Sequence, residues 1–171
     1  MSLHFSLETP KELVFEKVAE YLHQQNLNVA KQDSSRPWGG FFVLDEAEAD
    51  KFISLYFSHY TKDELAIAGK LSPKILIVAP EMRLSWQYHH RRAEIWKLIG
   101  GTAGVITSNT DDEKDTTHLN IGDIIQLKQG ERHRLIGLNG WGIVAEIWRH
   151  TDVGDPSDEN DIVRVQDDFG R

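Results

Sequence analysis

The sequence predicts an all-β domain, an antiparallel sandwich or barrel, preceded by a helix. From Lys74 onward, apolar runs of strand length alternate with turns rich in glycine and asparagine, as is typical of antiparallel all-β folds. The hydrophobic share of 40% and the charged share of 27% are ordinary for a globular protein. A length of 171 residues suffices for a single domain with a sizeable core, and we expect one domain over residues 1–171.

The first predicted element is a helix over residues 9–26. Thr9 is the expected N-cap, Pro10 takes the first helical position, and Glu12 follows three residues after the cap. Apolar residues then recur at helical spacing, namely Leu13, Val14, Val18, Tyr21 and Leu22. A loop of turn residues follows at Ser34–Gly40, and a short strand is predicted at Phe41–Leu44.

Residues 45–73 form a predicted helical insert. Two short helices are expected in it, Ala47–Phe57 and Lys62–Ala68, and both are partly polar. Long inserts in compact domains are often functional. We therefore expect this insert to cover the barrel mouth or to contact a second copy of the chain, with packing on the outer sheet as the structural alternative.

The barrel core is predicted over residues 74–171. Its strands are expected at Ile75–Ala79, Leu84–His89, Ala93–Leu98, Gly104–Thr107, Ile124–Leu127, His133–Ile136 and Ile143–Arg149. Turns at Gly100-Gly101 and Asn139-Gly140 separate successive strands, and Ser108–Asp115 is a solvated loop.

The stretch Ser85–Trp96 places costly polar groups in a predicted strand. Alternate side chains of a strand share a face, so Gln87 and His89 point one way and His90 points the other. A tight connection after His90 predicts a hairpin that brings Glu94 back beside Gln87 and His89. Buried groups of this kind are expensive unless they are paired or coordinate a metal.

His133 is the fourth candidate ligand, because it follows a glycine turn and enters another predicted strand. The predicted metal ligands are Gln87, His89, Glu94 and His133. One amide, two imidazoles and one carboxylate suit one divalent ion such as zinc, with manganese, iron, cobalt and nickel as alternatives. The chain has no cysteine, so no thiolate favours zinc. The structural alternative is four unrelated polar residues at strand ends.

These two polar stretches resemble the paired motifs of the cupin family, G-x5-H-x-H-x3,4-E and G-x5-P-x-G-x2-H-x3-N. Five residues match motif positions: His89, Glu94, Gly122, Gly130 and His133. Four stand where the motifs have another residue: Glu81, Gln87, Lys128 and Gly137. The resemblance implies a cupin double-stranded β-helix, a jelly-roll barrel, carrying an N-terminal helix and a short helical insert.

Gln87 makes the resemblance more specific. The run Gln-Tyr-His-His-Arg-Arg-Ala-Glu-Ile-Trp from Gln87 to Trp96 is similar to Q-M-H-H-H-R-A-E-H-W of the type II phosphomannose isomerases. The similarity extends to Arg36–Glu46 and to the ending Asp161–Arg171, while Trp148 stands where that family often has glutamine. It implies a metal-dependent aldose–ketose isomerase acting on mannose 6-phosphate, with other sugar phosphates, including heptoses, left open.

Six further residues are candidates for chemistry and for substrate recognition. The catalytic candidates are Glu146, Lys74 and Arg164, and the substrate-binding candidates are Arg92, Arg134 and Arg171. A glutamate facing the lumen would be desolvated, and its pKa would rise toward the range useful for proton transfer. The resemblance implies that the terminal tail closes over the site. The alternative is outward-facing strand residues and solvated charges.

The charge and the apolar pattern restrict partners and location. A net charge of -8 disfavours nucleic acid, and the apolar runs are too short to span a membrane. The expected partner is a phosphorylated sugar, and a homodimer is left open. The absence of cysteine and of a signal-peptide pattern favours a cytoplasmic location. Two other functions stay open, a non-catalytic cupin that binds a sugar or sugar nucleotide and a metal-dependent cupin dioxygenase.

Overall fold

The computed structural model describes residues 2–67 and 69–171. Its helices are α1 (Lys11–Gln24), α2 (Ala49–Tyr56) and α3 (Lys62–Leu65), and a short 3-10 turn spans Glu46–Glu48. Its strands are β1 (Val29–Asp33), β2 (Gly39–Leu44), β3 (Lys74–Val78), β4 (Trp86–Tyr88), β5 (Arg92–Ser108), β6 (Thr117–Leu119), β7 (Ile124–Leu127), β8 (Arg132–His150) and β9 (Val163–Gln166). Ala68, the predicted end of the second insert helix, lies outside the described residues. None of the described helices is long and apolar enough to cross a membrane.

The start of α1 differs from the prediction. Pro10 is the cap residue, in extended conformation, and no side chain accepts a capping hydrogen bond. Thr9 instead places its hydroxyl 3.2 Å from that of Ser6 in the preceding turn, so the predicted Thr9 cap was wrong. The helix is held by its buried face, which consists of Val14, Phe15, Val18 and Leu22.

Two long bent strands organise the sheet. β5 and β8 pair antiparallel from Arg92 opposite His150 to Ser108 opposite Arg132. The sequence suggested two strands in each of these segments, separated by glycine turns. The structure joins them, because the chain bends at bulges instead of reversing. Gly101 makes this bend feasible: its φ is +68°, and a Cβ there would lie 1.7 Å from the carbonyl oxygen of Trp141.

The remaining strands divide between the two ends of this long pair. The C-terminal half of β8 pairs with β3, which continues through β2 to β1. The N-terminal half of β8 pairs with β4, and β9 lies beyond β4. β7 and β6 pair with the first and second halves of β5. β5 and β8 therefore connect two layers of one antiparallel barrel, which confirms the all-β prediction.

Side-chain alternation along β3 separates two hydrophobic cores. Leu76 and Val78 point into the barrel, where they pack with residues such as Trp96 and Leu135. Ile75 and Ile77 point outward into a second core shared with α1 and the insert, to which α2 contributes Phe52. The insert therefore packs on the outer face of the sheet, and none of its described residues lines the main barrel cavity. The expectation that it covers this cavity is not supported.

Candidate active site

The predicted metal ligands converge inside the barrel, but not through a hairpin. β4 pairs with β8 and β9, which places Gln87 opposite His133. β5 pairs with β7 and with the other half of β8, so Glu94 belongs to the opposite layer. The predicted hairpin between β4 and β5 was wrong, because Glu94 reaches the histidines across the barrel interior instead of along a shared ladder.

His89, Glu94 and His133 form a compact buried group. Nε2 of His89 lies 3.1 Å from one carboxylate oxygen of Glu94, and Nε2 of His133 lies 3.3 Å from the other. The candidate ligand atoms of the three residues all lie within 4.8 Å of one another. Gln87, also buried, lines the barrel cavity together with Glu94, and its side-chain oxygen accepts a hydrogen bond of 2.5 Å from Ser85 Oγ.

Both histidines present the nitrogen that a metal would need. Nδ1 of His89 lies 2.6 Å from the carbonyl oxygen of Asp161, and Nδ1 of His133 lies 3.0 Å from that of Glu131. A carbonyl only accepts, so each Nδ1 carries a proton, and each Nε2, which lies next to Glu94, is the nitrogen available to a metal.

In the part of the chain that the structure describes, two of the candidate donor atoms are left without hydrogen-bond partners, as expected of atoms that bind a metal. Within the described residues, Glu94 Oε2 and His133 Nε2 are buried and have no hydrogen-bond partner. Buried polar atoms are rarely left unsatisfied, because they have lost their hydration without compensation. A divalent cation would satisfy both atoms at once. The group can therefore hold a metal ion, and its imidazole and carboxylate donors suit several transition metals.

Arg92 lies against these ligands. Its Nε donates to Glu94 at 2.8 Å, and one Nη lies 3.3 Å from His89 Nε2. Burial alone would raise the pKa of Glu94, but its interactions with His89, Arg92 and His133 outweigh burial and hold that pKa well below its usual range. Glu94 is therefore ionised at neutral pH, as a metal ligand must be. The other Nη of Arg92 donates to Ser157 Oγ and to the Asp158 carbonyl, at 2.8 and 3.0 Å.

Glu146 faces the same cavity from β8. Its two oxygens accept hydrogen bonds from the indole nitrogens of Trp96 and Trp148, at 2.7 and 2.9 Å. Burial and the nearby charge of Glu94 raise the pKa of Glu146 to about 7. A carboxyl group with that pKa can both accept and return a proton at neutral pH. Lys74 is its opposite residue in the β3–β8 ladder.

The cavity itself has a volume of about 270 Å³ and an aromatic wall. Its wall includes Trp38, Phe41, Trp96 and Trp148, all buried. Lys74 also lines it, with its ammonium 4.2 Å from the ring centre of Trp148 and paired with the carboxylate of Glu159. The cavity thus combines apolar surface with a few converging charges, as small-molecule sites usually do.

Besides Arg92, three arginines line this cavity, namely Arg36, Arg164 and Arg171. Partial burial lowers the pKa of Arg164, and the positive charges of Arg171 and Arg36 lower it further. Arg36 and Arg171 each pair with a carboxylate, that of Asp33 and that of Asp167, and the remaining guanidinium donors of the cluster suit an anion with several oxygens. Arg164 and Arg171 were predicted for this end of the site. Arg36 was not, although the Arg36-Pro-Trp-Gly39 match to the isomerases was a signal that could have identified it.

Arg134 lies elsewhere. It is fully buried outside the cavity, and its Nε donates to the Leu84 carbonyl at 2.9 Å. Its two terminal nitrogens donate to Glu113 and Gln166, at 2.6 and 2.5 Å. Its donors are therefore engaged by the protein, and it secures the C-terminal segment instead of facing a substrate.

Sequence comparisons agree with this geometry. The family profile described as "Mannose-6-phosphate isomerase C-terminal" matches residues 23–167. Alginate biosynthesis protein AlgA of Pseudomonas aeruginosa is 30% identical over 128 residues, which cover 73% of this chain and 24% of the relative. Xanthan biosynthesis protein XanB of Xanthomonas campestris pv. campestris is 30% identical over 112 residues, or 64% of this chain and 22% of the relative. The matched region thus spans about a quarter of the length of these relatives.

Solved structures show the same architecture. The capsular polysaccharide assembling protein CapF from Staphylococcus aureus aligns with a TM-score of 0.52 and 12% identity, over 78% of this chain and 33% of CapF. Vicilin from Corylus avellana aligns with a TM-score of 0.53 and 14% identity, over 81% of this chain and 36% of vicilin. At such identities the likeness concerns the fold alone. Because the family profile spans most of the chain and the fold agrees with it, the chain belongs to the mannose-6-phosphate isomerase C-terminal family of cupins.

Proposed function

We propose that the protein is a metal-dependent sugar-phosphate isomerase that interconverts an aldose phosphate and a ketose phosphate. One observation carries the proposal: a single cavity of about 270 Å³ is lined by Glu94 of the metal-ligand group, by the buried carboxyl group of Glu146 and by four arginines. Mannose 6-phosphate is the first substrate to test, because of the family to which the chain belongs. The relatives named for alginate and xanthan biosynthesis support a role in sugar chemistry.

Glu146 is the proposed proton carrier. As a carboxylate it removes the proton from C2 of the aldose phosphate, and as a carboxylic acid, whose proton exchanges with solvent, it donates a proton to C1. One C–H bond breaks and one forms, the hydroxyl proton of O2 is transferred to O1, and the carbonyl group moves from C1 to C2 with no net redox change. The indoles of Trp96 and Trp148 keep the carboxylate in place through its two hydrogen bonds.

The other residues bind and orient the substrate. The guanidinium groups of Arg36, Arg164 and Arg171 hold the phosphate at the exposed end of the cavity. A divalent metal held by His89, Glu94 and His133, with Gln87 nearby, would stabilise negative charge on the reacting oxygens. The aromatic wall restricts water around the reacting carbons, which strengthens these electrostatic contacts.

The test is an NMR assay of metal-loaded protein in deuterated water against a panel of aldose and ketose phosphates. Interconversion with deuterium entering the carbon that receives the proton supports the isomerase. Glu146→Gln should lower turnover by about 10²–10⁴-fold while the protein still binds metal. Glu20→Gln makes the same chemical change on α1, where Glu20 pairs with Lys17 at the surface, and should keep the wild-type rate.

Arg164→Ala separates binding from chemistry. Loss of one phosphate contact should raise KM by about 10-fold or more and leave kcat within a few-fold of wild type. If the wild-type protein binds sugar phosphates but converts none of the panel, the cavity is that of a binding cupin and the isomerase proposal fails. Substrate-dependent oxygen consumption with a bound redox metal would favour the dioxygenase instead.

A further inference from the structure

Lys74 is a cation on the cavity wall that the protein itself neutralises. Its side chain is 7% exposed and forms an ion pair with the carboxylate of Glu159, whose side chain is 61% exposed. The ammonium lies 5.1 Å from the ring centre of Phe41 and 4.2 Å from that of Trp148. Aromatic rings therefore cover two sides of the ammonium, and the Glu159 carboxylate contacts it from another side.

Glu159 projects from a segment that is firmly anchored on both sides. Before it, Ser157 is fully buried and accepts a hydrogen bond of 2.8 Å from Arg92. After it, the Asp161 carboxylate accepts from the backbone nitrogens of His90 and Arg91, each at 2.9 Å. The backbone around Glu159 is therefore held in place, and its carboxylate can leave Lys74 by rotation of its own side chain.

A second cavity gives the Glu159 side chain space to move into when it leaves Lys74. Lys74, Trp148 and Glu159 also line a second cavity of about 460 Å³, so they form the wall between the two spaces. A mostly exposed carboxylate that swings outward regains hydration at little cost. A buried ammonium without a partner does not, because a charge taken out of water needs a compensating one. The ammonium of Lys74 is therefore stabilised by an anion in direct contact with it, whether that anion comes from the protein or from a ligand.

We infer that Glu159 is a specificity-determining residue, an internal carboxylate that occupies Lys74 until the anionic group of a ligand displaces it. A phosphate oxygen offers Lys74 the same charge and the same acceptor chemistry as the carboxylate. A ligand without an anionic group cannot replace Glu159 as the partner of Lys74. An anionic ligand can, but its affinity is lower than it would be if Glu159 did not compete for the ammonium. The inference rests on the proposed function only in taking the ligand of the cavity to be anionic.

The experiment measures binding of inorganic phosphate to metal-free protein by isothermal titration calorimetry at about 0.15 M ionic strength. Metal-free protein keeps phosphate from binding a metal, and binding is measured independently of turnover. Glu159→Gln removes the competing charge at nearly constant shape and should tighten phosphate binding by about 3- to 10-fold. In a Lys74→Met background, or Lys74→Gln if the first does not fold, the same Glu159→Gln change should alter the affinity by less than about 2-fold.

Asp152→Asn is the matched control. It removes one negative charge from the same segment, while its side-chain oxygen can still accept from the Gly154 nitrogen, a contact of 2.8 Å in the native chain. It should change phosphate affinity by less than about 2-fold, since long-range surface charge is largely screened.

Three results would each overturn the inference. The first is unchanged or weaker phosphate binding in Glu159→Gln, which would make Glu159 a residue that positions Lys74 for the ligand. The second is equal tightening with and without Lys74, which would reduce the effect to general charge. The third is no measurable phosphate binding in either the wild type or Glu159→Gln. A protein that binds phosphate as expected but isomerises no sugar phosphate would refute the proposed reaction and leave this inference standing.

Discussion

The surroundings of Glu146 change the pKa of its carboxyl group. It is 4% exposed and accepts two indole N–H groups, yet its pKa rises to about 7 because burial and Glu94 oppose its ionisation. The unfolded chain has no such constraint, so its carboxyl ionises near the ordinary value of 4.5. Between these two pH values the folded protein holds a proton that the unfolded chain has released, and this difference favours folding at the acidic end.

The contribution of Glu146 to the stability of the metal-free protein should therefore fall as pH rises from about 5 to 8. The contribution is about 3 kcal/mol over the full interval. Glu146→Gln cannot ionise, so its stability relative to wild type should improve with rising pH. Urea unfolding of both proteins at pH 5 and pH 8 measures this, and a difference that does not depend on pH would show that Glu146 ionises normally.

His150 and Ser72 illustrate a contact that only looks catalytic. Ser72 has a φ of +53°, and its hydroxyl lies 3.1 Å from His150 Nε2. The backbone nitrogen of Ser157 donates to His150 Nδ1 at 3.0 Å, so Nδ1 carries the lone pair and Nε2 carries the proton. Burial lowers the pKa of His150 to about 4. The neutral ring therefore donates to Ser72 and cannot act as its base.

At the scale of elements, the bend in β5 depends on a backbone that only glycine adopts easily. Gly101→Ala adds a Cβ that would lie 1.7 Å from the Trp141 carbonyl oxygen, at a φ of +68°. Gly122 also has a positive φ, +98°, but a Cβ there meets nothing within 4 Å. We expect Gly122→Ala to cost about 1–2 kcal/mol from strain alone, and Gly101→Ala to cost at least about 4 kcal/mol. Similar costs in urea unfolding would contradict this account of the bend.

The insert acts as part of the outer core. Phe52 on α2 is completely buried, whereas Leu55 on the same helix is 39% exposed. Phe52→Ala should cost about 3–5 kcal/mol through lost burial and a cavity, and Leu55→Ala less than about 1 kcal/mol. Denaturant unfolding of the two variants gives the comparison. Equal, small costs would mean that the insert is not integral to the core and has another role, such as the contact with a second copy that we predicted.

At the scale of the whole molecule, metal binding is linked to global stability. A ligand at 100 times its Kd stabilises the native state by about 2.7 kcal/mol, which is about 5–10 °C in Tm for a chain of this size. Added zinc or manganese should raise the Tm of chelated wild-type protein by this amount. His89→Ala and His133→Ala should abolish the rise, because each removes a member of the buried ligand group.

His90→Ala is the matched control for the metal prediction. His90 follows His89 directly, but it is exposed and outside the ligand group. It should keep the full metal-dependent rise in Tm. Loss of the rise in His90→Ala together with its retention in His133→Ala would place the metal elsewhere.

The sequence by itself determined the fold class and the types of residue that meet in the cavity. Period-two alternation shows which residues of β3 and β8 share a face, so an inward Glu146 was predictable. The spacing of Gln87, His89, Glu94 and His133 indicated one site, because ligand type and parity are local properties of the chain.

Only the tertiary structure decided which elements face each other. A bend and a reversal both use glycines, so the sequence could not distinguish the continuous β5 from two strands joined by a turn. For the same reason Glu94 was expected in a hairpin and lies instead in the opposite layer. Arg134 and Arg36 have the same side chain but different surroundings. Arg134 donates to the side chains of Glu113 and Gln166, whereas Arg36 lines the cavity. Which residue pairs with a given charge depends on tertiary contacts, and here the fold brings Glu159 to Lys74 across 85 positions of sequence.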